Sequence, residues 1–104
     1  MAVTILTDGE DWTIPPRSAK ESAYRIIRRG DDRWAVQATT AERYAAGGDW
    51  FSPFASVLTA EEACTALLRR MATQIKDRAY LDEVVEEITR LTGAPPPAVG
   101  RAKD

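Results

Sequence analysis

Four arginines, Arg25, Arg28, Arg29 and Arg33, gather around Trp34, with Arg43 beyond them. Arginines on alternate positions of a β-hairpin can track phosphates, and a sheet followed by a helix can offer such a ribbon to a major groove. Against that chemistry stand Asp31 and Asp32, at the tip where nucleic acid would come closest, and a formal net charge of −2. Solvated arginines with cross-strand acid partners are the plainer expectation. Nucleic-acid binding through these four residues is the alternative.

The acids form a second candidate group. Glu83, Glu86 and Glu87, with Asp82, could bind a divalent cation, act as an acid/base pair or dock a partner. They alternate with Leu81, Val84, Val85 and Ile88 at helical spacing, so a solvated helix face is expected, with Glu86 placed for an i,i+4 pair with Arg90. Asp8-Gly9-Glu10-Asp11 lacks the twelve-residue ligand spacing of a calcium loop. Gly47-Gly48 follows no phosphate-loop spacing, and no lysine comes after it.

Nucleophilic catalysis has little to work with. The chain contains no histidine, which removes the commonest general base and the usual hydrolytic triads. Its one cysteine, Cys64, lies near a helix start but on an apolar stripe, the position of a plain buried thiol. One cysteine also excludes an intramolecular disulfide and makes a reducing interior the default compartment. An enzyme using carboxylates alone is a third possibility behind two binding functions. No cofactor or metal is expected.

Trp50, Phe51 and Phe54 surround Pro53. Alternation in a strand buries one side only, so Phe51 competes with Trp50 and Phe54 for exposure. An aromatic left open beside a charged rim marks a protein interface.

These groups must be carried by a small scaffold. Thr59-Ala60-Glu61-Glu62 has the spacing of a capping box, and Ala60, Cys64, Leu67, Leu68, Met71 and Ile75 form one apolar stripe at steps of three and four. Leu81, Val84, Val85, Ile88 and Leu91 form a second stripe. Nine residues separate Ile75 from Val84, a rotation of about 900°, which would put the stripes on opposite sides of one rod. A break near Lys76 to Arg78, with Asp77 as the new N-cap, lets both face a core. Thr92-Gly93 ends the second helix, and Pro95-Pro96-Pro97 prevents a restart.

Upstream, the segment from Ser22 to Arg29 alternates, Gly30-Asp31-Asp32-Arg33 is a turn by composition, and Trp34, Val36 and Ala38 alternate again; together they form the firmest hairpin. Trp50 to Leu58 suits a third strand, with Pro53 on an edge or a bulge. Thr40 to Ala46 fits either a continuing strand or a helical turn. Ala2 to Thr7 and Trp12 to Ile14, around the Asp8-Gly9 turn, fit either an extra hairpin or a loosely docked arm.

The expected fold is therefore α+β: a two- or three-stranded antiparallel meander followed by two amphipathic helices packed on one face. Residues 1–94 form a single domain, with a possible N-terminal hairpin or arm at 1–16, and 95–104 a Pro-rich tail without fixed structure. No apolar run approaches the ~20 residues of a membrane span, and the N-terminus lacks a signal pattern, so a cytoplasmic location is expected. The leading functional expectation is a non-enzymatic protein-binding module or small inhibitor. Its candidate contact residues are Glu83, Glu86, Glu87, Trp50 and Phe51. A phage-type blocker of a bacterial defence complex, in an anti-CRISPR-like role, would suit a small acidic chain of this kind.

Overall fold

The computed structural model describes residues 3–47 and 50–93. In chain order these form β1 (Leu6–Asp8), β2 (Asp11–Ile14), β3 (Ala23–Gly30), β4 (Arg33–Thr39), α1 (Ala41–Ala45), β5 (Ser52–Leu58), α2 (Ala60–Ala72) and α3 (Arg78–Thr92). The strands make one antiparallel sheet in sequence order, β1-β2-β3-β4-β5. The α+β meander followed by two amphipathic helices is present, with the N-terminal hairpin adding two strands. The expected Pro-rich tail, 95–104, lies outside the described residues.

The N-terminal hairpin is integral, not a loosely docked arm. Gly9, at φ +64°, opens a two-residue loop that closes on Asp8 and Asp11. Glycine at that position permits the turn whose twist matches two antiparallel strands. Trp12 and Ile14 then alternate inward and are almost fully buried. The Trp12 ring centroid lies 5.8 Å from that of Trp34. That burial holds β2 onto β3, where Trp12 faces Ile26 and Ile14 faces Tyr24.

At the other side, β5 starts at Ser52 and not at Trp50. Pro53 has both permitted settings at once: β5 is an edge strand, and its register with β4 shifts between Val36 and Gln37. The bulge leaves Phe54 and Ala55 both packed toward the core. The ambiguous stretch before it resolves as helix. Thr40 Oγ1 accepts from the Arg43 N–H at 3.1 Å, which starts α1.

Both long helices begin as their spacing predicts. Thr59 and Glu62 complete the capping box of α2, and Asp77 Oδ1 accepts from the Tyr80 N–H at 3.1 Å to start α3. Gly93, at φ +74°, ends α3 in the left-handed conformation. The break between the helices turns Met71 and Ile75 and then Leu81, Val84 and Ile88 toward one core. Ala63 is also fully buried, although it lies off the expected stripe. Packed against both the sheet and α3, α2 buries a wider arc than one neighbour would require.

Candidate functional site

Both long helices lie on one side of the sheet, so strand parity decides what the other side presents. Two unbroken cross-strand rows run over this outer face. One is Leu6, Thr13, Arg25, Gln37 and Pro53; the other is Asp8, Asp11, Ile27 and Ala35. The chemistry of the surface is concentrated at one end of the first row. The Arg25 guanidinium lies 3.9 Å from the centroid of the Phe51 ring, and Tyr44 meets that ring edge-on at 6.3 Å. Arg25 Nη1 also donates to Gln37 Oε1 at 3.5 Å. Arginine over an aromatic face gains electrostatic and packing energy together. The stack holds the segment before β5 against the sheet.

Trp50 stands next to this stack and is 53% exposed. Phe51 and Phe54 are half-buried, so Trp50 is the aromatic of this segment that faces solvent. The competition expected for exposure is thus settled by Phe51 taking Arg25 and Tyr44, while Phe54 turns toward the core under Arg70.

The four arginines of the hairpin do not form one stripe. Arg25 and Arg28 lie on opposite faces of β3, because three residues separate them in a strand of period two. Arg28 stacks over Trp34 at 4.9 Å, donates to the carbonyl of Thr92 at 3.3 Å and pairs with Glu10 at 3.6 Å. Arg29 and Arg33 are exposed, flanking the register shift at the hairpin end. The tip itself is docked: Asp32, at φ +53°, accepts from the Ala60 N–H at 3.1 Å. A hairpin fastened to two helix ends is not extended for entry into a groove.

On α3, Glu83 and Glu87 are half-buried and Glu86 is exposed. Arg90 pairs with Glu87, one turn away at i,i+3, and not with the expected Glu86. The Arg90 hydrogen bond lowers the pKa of the Glu87 carboxyl. Glu83 lines a cleft of about 580 Å³ with Pro15, Pro16, Asp77 and Tyr80, where Arg17 lies 3.7 Å from the Tyr80 ring centroid. The α3 acids and the Trp50–Phe51 pair therefore belong to two separate surfaces. Among the described residues, no three histidines, cysteines, aspartates or glutamates are grouped to hold a metal.

Cys64 is 4% exposed in the seam between α2 and α3, against Leu67, Val84 and Ile88. Burial pushes its thiol up to about 11, the opposite of what a nucleophile needs. No described helix is long and apolar enough to cross a membrane.

No protein-family model, curated protein or solved structure matches this chain. Two residues of the outer face escape the sequence reading. Leu6, 50% exposed, gains its place from the register of the first hairpin. Its parity relative to the Gly9 turn is the available signal. Tyr44 has none, because its ring partner lies across a glycine turn.

Proposed function

We propose that the chain is a non-enzymatic protein-binding module that engages its partner through the outer sheet face around Trp50. The observation that carries this reading is the open Trp50 beside the Arg25–Phe51–Tyr44 stack. Tryptophan, tyrosine and arginine are the residue types that dominate binding energy at protein interfaces. Here the arginine and Phe51 are held in place before any partner arrives, which reduces the ordering cost of association. The buried, raised thiol of Cys64 and the lack of histidine both favour binding over catalysis. The lone cysteine suits a reducing, cytoplasmic setting. A small inhibitor of a larger complex, including a phage-type blocker of bacterial defence, is one form of this role.

The test is a comparison of purified wild-type chain with Trp50→Ala and Phe51→Ala as bait in quantitative pull-downs from the source cells. Specific capture should fall at least about tenfold with Trp50→Ala, as expected for a central aromatic, at unchanged melting temperature. Equal capture by folded variants would overturn the assignment to this surface. A Glu83→Lys, Glu87→Lys bait, changing the other surface, should capture normally.

A further inference from the structure

The two edges of the sheet differ in how they are defended. The β5 edge carries Pro53, and its pairing with β4 shifts register twice. A missing donor and a bulge are both devices that discourage further strand pairing. The β1 edge has neither. Its approach, Val3-Thr4-Ile5-Leu6-Thr7, contains no charge, proline or glycine. All three residues of β1 are exposed, and among the described residues no strand lies beyond it.

The hairpin geometry says which groups this edge presents. The loop closes on Asp8 and Asp11, so Leu6 and Asp8 turn their N–H and C=O toward β2. Thr7, out of step by one, turns its pair outward, and the same alternation carried one residue upstream of β1 does so for Ile5.

We propose that β1 pairs with β1 of a second copy, antiparallel, about a two-fold axis perpendicular to the sheet at Leu6. Thr7 then exchanges hydrogen bonds with the partner's Ile5, and Ile5 with the partner's Thr7. Leu6 meets the partner's Leu6 as a non-hydrogen-bonded pair, the pairing with the closer side chains, about 4.5 Å between Cα atoms. Each covers the other's open side chain, now 50% exposed on the outer face. Charge excludes registers nearer the turn, and centring on Leu6 is the one that buries the two open Leu6 side chains against each other. Centring on Leu6 sets Asp8 opposite the partner's Thr4, whereas centring on Thr7 would press Leu6 against a carboxylate, and centring on Asp8 would oppose two carboxylates. The same edge serves both copies, so the contact closes and does not propagate. This inference uses a different edge and different residues from the Trp50 surface and does not rest on it.

Sedimentation velocity on the full chain over a wide concentration series tests it. The average mass should rise from that of a monomer toward that of a dimer. Thr7→Pro deletes the outward N–H, and Leu6→Lys places two like charges side by side. Each should move the transition to about tenfold higher concentration or beyond. Leu6→Lys alters an exposed side chain and keeps the test decisive if Thr7→Pro fails to fold. Ser52→Lys, on the opposite edge, should leave the transition in place. A monomer throughout, or a dimer indifferent to Leu6→Lys, would overturn the proposal, as would equal loss with Ser52→Lys.

Discussion

Asp32 and Ala60, 28 residues apart, are joined by a 3.1 Å hydrogen bond from the helix N–H to the carboxylate. The first turn of α2 thus draws on two acceptors from outside its own rod, Thr59 Oγ1 and Asp32 Oδ1. The negative charge also suits the positive end of the helix dipole. An acid at the hairpin tip is accounted for by this contact alone.

Asp32→Ala should therefore destabilise the fold by about 1 kcal/mol, the usual worth of a helix cap. Asp32→Asn should cost less, because asparagine tolerates the left-handed backbone at φ +53° and keeps an acceptor. Urea unfolding midpoints of the two variants would separate the cap from the backbone conformation. Equal midpoints for Asp32→Ala and the wild type would remove the contact from the account of stability.

Gln74 offers a second long-range joint. Its Oε1 accepts from the Tyr24 hydroxyl and from the Ser22 N–H, and its Nε2 donates to Ser22 Oγ at 3.0 Å. The side chain ties the break between α2 and α3 to the start of β3. Gln74→Ala should cost about 1–3 kcal/mol, the range for stranding a partly buried polar group. Combining it with Tyr24→Phe should cost less than the sum of the two, and a double-mutant cycle in urea measures that coupling. Strict additivity would show that the two side chains act independently.

The arginines should divide by their surroundings. Arg28→Ala loses the Trp34 stack and the Thr92 carbonyl bond, so its melting temperature should fall by several degrees. Arg33→Ala, on an exposed side chain, should change it little. A gel shift with duplex DNA at low salt tests the nucleic-acid alternative directly. A shift abolished by Arg29→Ala with Arg33→Ala would revive that function for this face.

Stability should decline at both ends of the pH scale. The Arg17 side-chain hydrogen bond lowers the pKa of the Glu21 carboxyl. The contribution is complete above the ordinary carboxylate range and is lost as pH falls through the folded value. Arg17→Ala should flatten that acid limb. At the alkaline end, burial raises the Cys64 thiol to about 11, and burial also raises Tyr24 and Tyr80. An unfolded thiol ionises from about pH 8.5, so stability should fall as pH rises above that value. Cys64→Ala should reduce this alkaline slope, and iodoacetamide should label native Cys64 only through opening of the α2–α3 seam.

Local signals in the chain determined the helices, their caps and the break between them. Thr59 with Glu62, Asp77 and Gly93 act within a few residues of themselves, so spacing is enough to place them. The out-of-phase stripes around Lys76 likewise demanded two rods from helical pitch alone. The hairpin from Ala23 to Thr39 followed from alternation. Other features were settled only in three dimensions, because each depends on partners far along the chain. The first hairpin is secured by Trp12 against Trp34, and Arg25 is turned toward Phe51 by strand parity and the packing of α1. Arg28 and Arg25 look alike in sequence, yet period two sends one to a helix end and the other to the open face. That division, invisible in composition, decides which charges a partner can meet.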